Sequence, residues 1–219
     1  MSRLPTRRWT AVTGDINRAN ALQSEFGKSM RPDDNICHGN WLDEGFLGEE
    51  KYDTVLADYL LGAIDGFAPY FQGRLFRRLK RHVEQKLYVV GLEPIPVYSP
   101  DPGGRIVTEI SNLRDAHIRL ANHRCYREYP MTWVQKNLED TGYEVLKAAT
   151  FPIRYGKKKI NAQLDVCIQK LKFMQNDSLK EALMGRTNKL RLKALSHVDK
   201  NGPISFGFDY VLSAVPKHI

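Results

Sequence analysis

The segment Tyr52–Gly62 constrains the fold of this chain most strongly. It reads YDTVLADYLLG: residues 54–57 carry no charge, and Asp58 and Tyr59 stand where the apolar run stops. Such a run is typical of a strand buried on both faces, as in a parallel sheet that is covered by helices. A helix-compatible segment that ends in the basic LFRRLKRHVEQ follows, and then a second apolar run, KLYVVGLEP. The pattern predicts a β-strand, a crossover helix and a parallel strand.

Polar residues follow both predicted strands at the point where each one ends. They are Asp58 and Tyr59 after the first strand, and Glu93 and Pro94 after the second. In open sheets of this kind, ligands bind beyond the carboxyl ends of the strands. We therefore expect these four residues at a ligand-binding edge.

A shorter strand is predicted near the start of the chain, in RWTAVTGDIN at 8–17, with a loop from Gly14 and a helical pattern from Asn17 to Gly27. Asp15 lies between the strand and the helix. In dinucleotide-type folds, a carboxylate at this place accepts hydrogen bonds from ribose hydroxyls. An Asp that caps the following helix is an equal alternative.

Another short strand is predicted in DNICHGNWLDEGF at 34–46, where it ends in Gly39, Asn40 and Trp41. An Asn amide both donates and accepts hydrogen bonds, as needed to read an adenine edge, and an indole beside it would flank the ring. A buried Trp that covers a helix remains the alternative for Trp41.

The segment Ile106–Pro130 is mostly helical in pattern and dense in charged, His and Tyr residues. Because it follows a sheet strand, it is a candidate lid that supplies substrate contacts; a surface helix with charge pairs is the plainer alternative. Its candidate acceptor-side residues are His123, Tyr126 and Glu128. Arg114 in such a lid would favour an anionic acceptor.

The last third of the chain alternates helical and strand patterns. An amphipathic helix is predicted in Met131–Leu146, stopped by Gly142 and followed by a strand through Phe151. Two helices joined near Asn176 are predicted between Lys159 and Lys193, before a closing strand at about 206–215.

Length and composition set limits on the class of protein. The 219 residues suit a single domain, 1–219, and the net charge of +8 permits a polyanionic partner without requiring one. Nucleic acid is not the favoured partner, because basic runs such as Arg74–Arg81 are mostly solvated faces. The sequence has no apolar run of membrane-spanning length and no signal peptide, and its three cysteines are far apart, so we expect a soluble cytoplasmic protein without metal.

The order of these pieces resembles a class I S-adenosylmethionine-dependent methyltransferase, an α/β protein with a Rossmann-like fold. TGDIN, HGNWLDEGF and YDTVLADYLLGAI look like the ends of that family's second, third and fourth strands, and KLYVVGLEP is similar to the fifth. GYEV and GFDYVLSAVPK look like the sixth and seventh strands, the last of which is antiparallel and inserted between the fifth and sixth. A helical insertion at about 159–200 would then separate the last two strands.

The resemblance implies S-adenosyl-L-methionine as cofactor and methyl transfer to an unidentified acceptor, either a small molecule or a protein. It assigns Asp15 with Ile16 to the ribose and Asn40 with Trp41 to the adenine. Asp58 and Tyr59 would border the sulfonium and the acceptor. The candidate catalytic residues are Asp58, Tyr126 and Glu128.

The sequence also departs from the family pattern. The family begins with a strand that runs into a glycine-rich loop, and no GxGxG stretch occurs here, so the chain starts one strand too late. The missing strand would lie between the family's second and fourth strands, and its loss exposes two backbone edges or forces them together, which makes an oligomer plausible. A non-catalytic scaffold or partner subunit, a basic nucleic-acid-binding module that uses Arg74–Arg81, and a start site set too late are therefore the alternatives.

Overall fold

The computed structural model describes residues 5–217, which form an α/β fold with two sheets. The strands are β1 (Thr10–Thr13), β2 (Asn35–His38), β3 (Tyr52–Asp58), β4 (Val83–Leu92), β5 (Tyr143–Tyr155) and β6 (Ile204–Pro216). The helices are α1 (Ile16–Phe26), α2 (Leu60–Ala63), α3 (Gln72–Lys80), α4 (Pro102–Leu120), α5 (Met131–Asp140), α6 (Lys157–Leu171) and α7 (Asp177–Asn201).

The larger sheet has the order β3-β4-β6-β5. β3 and β4 are parallel and joined by a crossover that contains α3, as predicted, while β6 lies antiparallel between β4 and β5. The mixed sheet and the antiparallel last strand confirm the predicted fold class. The register places Asp58 beside Val90 and Leu92 beside Asp209, so the polar strand ends meet at one edge of the sheet.

The smaller sheet consists of β1 and β2, which pair in parallel. Within residues 5–217, no strand lies between β1 and β3, so each strand has one unpaired edge. Side chains bridge the gap at both ends: the Tyr52 hydroxyl donates to Thr10 Oγ1 at 3.1 Å, and the Phe67 ring packs against Gly14. A Cβ at Gly14 would lie only 2.8 Å from Phe67 Cγ, so this contact requires a glycine.

One face of the larger sheet is buried and the other is partly open. Paired residues on the buried face, such as Ala57 and Val89, pack under α3 and α5, whereas Leu56 on the opposite face is 59% exposed and Phe151 is 53% exposed. The expectation that β3 is buried on both faces is therefore wrong, because β3 is an edge strand and its outer face carries no helix among the described residues.

A second hydrophobic core lies beyond the carboxyl edge of the sheet. β5 and β6 extend past the end of β4, and α4, α6 and α7 pack against this extension and against one another. We call these three helices the helical cap. Buried His117 of α4 connects all three, because its Nδ1 lies 2.9 Å from the Cys167 carbonyl oxygen of α6 and its Nε2 lies 3.4 Å from Thr187 Oγ1 of α7.

A search of the described residues for an apolar helix long enough to cross a membrane found none.

Candidate functional site

Tyr59 occupies the turn at the carboxyl end of β3. Its backbone is left-handed (φ 47°, ψ 21°), and its amide donates to the Val90 carbonyl at 3.0 Å, which holds the turn against β4. A non-glycine residue in this conformation costs about 1 kcal/mol, which the surrounding contacts must offset. Burial, together with the hydrogen bond to the Asp209 carboxylate, raises the pKa of the Tyr59 phenol to about 12. Tyr59 therefore stays protonated at neutral pH.

Glu128 belongs to the segment 121–130, which returns from the helical cap to the sheet edge. Two hydrogen bonds fix this segment beside Glu128: the Tyr210 hydroxyl donates to the Tyr129 carbonyl, and the Met131 amide donates to the Glu93 carboxylate, both at 2.9 Å. Burial raises the pKa of Glu128 to about 7, against the opposing effect of the Arg114 guanidinium. The carboxylate is therefore poised to take or give a proton near neutral pH.

A cavity of about 190 Å³ lies between the strand ends and the helical cap. We call it the inner cavity. Its apolar walls are formed by Leu92, Ile95, Val107, Ile110 and Ile153. Its polar lining consists of Tyr59, Ser111, Arg114, Tyr155, Lys159, Gln163 and Asp209.

The two cations of the inner cavity differ in how they are held. Arg114 donates to Gln163 Oε1 and to Asp115 Oδ1, which fixes the plane of its guanidinium. The Lys159 ammonium lies 5.2 Å from the centroid of the Tyr155 ring. Among the described residues, Lys159 has no carboxylate within ion-pair distance, so its charge is available to an anionic ligand.

Asp15 caps α1, as one of the two interpretations predicted. Its Oδ1 accepts from the amides of Asn17 at 2.8 Å and Arg18 at 3.3 Å. These bonds use one carboxylate oxygen, and the side chain is exposed, so the cap leaves Oδ2 available for a ligand. Ile16 and Phe67 present exposed apolar surface near Asp15.

Asn40 and Trp41 are both committed to internal contacts. Asn40 Nδ2 donates to the Phe67 carbonyl at 2.8 Å, and its Oδ1 accepts from the Leu42 amide at 3.0 Å. The Trp41 ring packs edge-on against Phe46 and borders the core of the larger sheet, near His82. In this structure, Asn40 holds a loop and Trp41 covers a core. Their contact with adenine stays a prediction, which would use the second N–H and the second oxygen lone pair of Asn40.

Of the predicted residues at this edge, Tyr59 lines the inner cavity, whereas Glu128, Asp58 and Tyr126 are not part of its lining. Asp58 is exposed at the end of β3, and the exposed Tyr126 packs beside Gly66. The segment around Tyr126 is held by Arg124, which lies 3.6 Å from the buried Asp65 carboxylate and 5.1 Å from the centroid of the Tyr70 ring. The structure thus brings Glu128 and Tyr59 together but leaves Asp58 and Tyr126 nearer the solvent.

Sequence reasoning missed Asp209, Phe67, Lys159 and Gln163 as site residues. Only Asp209 carried a recognisable signal, since it is a lone acid in the apolar strand SFGFDYVL. The other three reach the site through contacts between distant segments.

The basic run Arg74–Arg81 has a structural role at two of its positions. Arg78 Nη1 donates to the carbonyls of Trp41 at 2.8 Å and Asp43 at 2.7 Å, and Arg81 donates to the carbonyls of Glu44 and Phe46. These arginines bind the loop after β2, which weakens the case for this run as a nucleic-acid contact.

Comparison with known proteins found similar structures but no similar sequences. No protein-family model matches the sequence, and no curated protein is significantly similar to it. Among solved structures, the chain is similar to a methyltransferase candidate from Bacillus halodurans, with a TM-score of 0.58 and 14% identity over 96% of this chain and 84% of that one. It is also similar to the YcgJ protein from Bacillus subtilis, with a TM-score of 0.53 and 16% identity over 96% and 82% of the two chains.

A third similar structure is the mycolic acid cyclopropane synthase CmaA1 in complex with S-adenosylhomocysteine (SAH). Its TM-score is 0.51, at 16% identity over 95% of this chain and 69% of that one. At such identities the likeness establishes the fold. The chain therefore has the fold of class I S-adenosylmethionine-dependent methyltransferases, as the sequence analysis predicted.

Proposed function

We propose that this protein transfers a methyl group from S-adenosylmethionine to a small acceptor bound in the inner cavity. One observation carries the proposal: Glu128, with its pKa near 7, lies with Tyr59 and Asp209 at the carboxyl edge of a class I methyltransferase fold. Tyr59 and Asp209 line the inner cavity, and Glu128 lies beside them without lining it. Groups with such perturbed pKa values next to a cavity at the ligand-binding edge of an α/β sheet are typical of active sites.

The described residues fit the nucleoside half of the cofactor. Asp15 retains a free carboxylate oxygen for ribose hydroxyls, and the exposed surfaces of Ile16 and Phe67 suit the faces of a flat ring. A glycine-rich backbone cradle for the methionine half is not among residues 5–217. In our assignment, Asn40 would meet the adenine edge with its remaining N–H and oxygen lone pair, because one of each is already bonded.

The residues around the inner cavity orient the acceptor and move its proton. When bound, S-adenosylmethionine supplies an electrophilic methyl group. Glu128, once ionised, accepts the proton of the acceptor nucleophile, while the protonated Tyr59 hydroxyl is held by Asp209. Helices α4 and α6 of the helical cap form one wall of the cavity, and positioning supplies most of the rate enhancement.

The cations of the cavity indicate the class of acceptor. Lys159 lacks a carboxylate partner, and Arg114 presents a fixed guanidinium, so an acceptor with an apolar body and an anionic group would match both walls. Replacing Lys159 by Met is expected to raise KM for such an acceptor with little change in kcat. Lys158→Met is the matched control, because Lys158 is exposed, adjacent, and not part of the cavity lining.

A non-catalytic scaffold is the second candidate function. The partly open sheet face and the committed Asn40 and Trp41 favour it over an enzyme with a complete cofactor pocket.

Calorimetric titration with S-adenosylmethionine and SAH distinguishes the two functions. We expect Asp15→Asn to weaken binding at least tenfold without loss of thermal stability, because Asn caps helices as well as Asp does. Asp15→Ala would lose both binding and about 1 kcal/mol of stability. Asp101→Asn, the same change at the cap of α4, is the control. Unchanged binding in Asp15→Asn, or a folded wild type that binds neither ligand, would refute the methyltransferase proposal.

A further inference from the structure

A second cavity lies on the other side of α4 from the inner cavity. It has a volume of about 690 Å³ and runs between α4, α7 and the loop that precedes α4. We call it the outer groove. It shares no lining residue with the inner cavity: α4 contributes Arg105, Glu109 and Asn112 to the groove, and these positions lie on one face of the helix.

The segment that contains α6 and α7 carries nearly all of the net charge of the protein, and α7 lines this groove. Residues 157–201 contain eleven Lys or Arg and four Asp or Glu, a net charge of +7 out of +8 for the whole chain. The rest of the chain is therefore close to neutral. α7, which lines the groove, contributes six Lys or Arg against three Asp or Glu, a net charge of +3, and such an excess attracts an anionic partner.

Four of the six Lys and Arg residues of α7 form a stripe along one face of the helix, and His197 lies in the same row. Arg186, Lys189, Lys193, His197 and Lys200 are spaced three or four residues apart, which places them in a row about 21 Å long. The three acids of α7 stand on the opposite face by the same spacing; they are Asp177, Glu181 and Asp199. We call the row the basic stripe.

The basic stripe borders the outer groove and keeps an excess of positive charge. Glu109 of α4 pairs with Arg186 and with Lys193, the latter at 2.7 Å, so a single carboxylate is shared between two cations. Lys189 and Lys200 are exposed, and Arg105 donates one bond to the Pro100 carbonyl while keeping its charge. Arg105 and Lys200 thus line the groove without an ion-pair partner among the described residues, and exposed Lys189 continues the stripe beyond the groove lining.

An aromatic ring stands at the wall of the same groove. Tyr98 is 69% exposed although it belongs to the lining. A basic track beside an exposed aromatic side chain is the combination by which proteins bind single-stranded nucleic acid, since phosphates meet the cations and a base stacks on the ring. A small anion would need neither the length of the stripe nor the ring, and an acidic protein segment would not need the ring.

We propose that the outer groove binds single-stranded nucleic acid, with its phosphates along the basic stripe and a base stacked on Tyr98. This site is separate from the inner cavity and uses residues other than Arg74–Arg81. It requires no bound cofactor.

Fluorescence anisotropy with a labelled twelve-nucleotide oligouridylate and the matching oligothymidylate tests the proposal, over a range of salt concentrations and without cofactor. With about three phosphate contacts, the logarithm of the binding constant should fall with the logarithm of salt at a slope of roughly −2. The double variant Lys189→Glu/Lys200→Glu should bind at least tenfold more weakly, and Tyr98→Ala about fivefold or more.

The control is the double variant Lys28→Glu/Lys147→Glu, which makes the same change in net charge at exposed positions outside the groove. Weakening of binding in the control equal to that in the groove variant would overturn the proposal, as would affinity indifferent to salt, tighter binding of a duplex, or equal competition by polyglutamate. Equal affinity for the two oligomers supports recognition by phosphates and stacking alone, and tighter RNA binding supports an RNA partner. Failure here leaves the methyltransferase proposal untouched, because no arm of this experiment depends on the inner cavity.

Discussion

The carboxylate of Glu128 lies directly against the backbone of Gly62, so that a Cβ at Gly62 would come within 2.4 Å of Glu128 Oε1. The same Cβ would lie 2.6 Å from Oε2 and from the carboxyl carbon, so no rotation of the carboxylate relieves the contact. Gly62 in α2 therefore makes room for the acid that we assign as proton acceptor.

Gly62→Ala should displace Glu128 and lower kcat of methyl transfer about tenfold or more, because proton transfer requires a positioned carboxylate. The clash also opposes the roughly 1 kcal/mol that Ala gains over Gly in a helix. Gly73→Ala in α3 is the matched control: its Cβ would meet nothing within 4 Å, so this variant should be more stable and fully active. A Gly62→Ala enzyme with wild-type kcat would contradict the role of Glu128.

Glu128 should also make stability depend on pH. Because its folded pKa is raised from 4.5 to about 7, the native state holds a proton that the unfolded state has lost between these two values. The stabilisation is complete below pH 4.5 and is lost as the pH rises through 7. At pH 8, the free energy of unfolding of Glu128→Gln, measured by urea titration, should therefore exceed that of wild type by on the order of 2 kcal/mol. This difference should vanish near pH 4.5. If the free energies of unfolding of wild type and Glu128→Gln changed in the same way with pH, the result would count against a buried Glu128.

His117 should produce the opposite dependence. Burial lowers its pKa below 6.5 despite its bond to the Cys167 carbonyl, so the unfolded state binds a proton that the native state does not. Stability present above pH 6.5 is then lost as the pH falls. In urea titrations, His117→Gln should reduce the loss of unfolding free energy between pH 7 and pH 5. The same substitution at exposed His38 should leave that loss unchanged. If His117→Gln lost as much unfolding free energy between pH 7 and pH 5 as wild type does, His117 would not be the cause of that loss.

Arg78 should matter for stability although it lies on a surface helix. Its guanidinium donates hydrogen bonds to two carbonyl groups of the loop after β2, and its side chain is only 11% exposed. A lysine ammonium lacks the planar fork for this geometry, so Arg78→Lys should cost about 1–2 kcal/mol in urea unfolding. The neighbouring exposed Arg77→Lys should change stability by less than about 0.5 kcal/mol. Equal effects of the two substitutions would show that the loop contacts contribute nothing.

The sequence predicted the elements of the fold better than the site. Apolar runs and glycine or asparagine stops define an element locally, as at Asn176, whose side chain accepts from the Leu179 amide at the start of α7. α4 begins before the helical pattern predicted from Ile106, because Asp101 caps the helix and Pro102 lies in its first turn. Asn40 is occupied by the Phe67 carbonyl, 27 residues away, and no local pattern carries such information.

The open sheet face and the unpaired edges of β1 and β3 have a thermodynamic consequence. Any molecule that covers Leu56 and Phe151 in the native state gains apolar burial that the unfolded chain cannot offer. By mass action, a molecule that bound this face would raise the melting temperature, and the rise would increase with the concentration of that molecule. For a second copy of the chain, the melting temperature would increase with protein concentration.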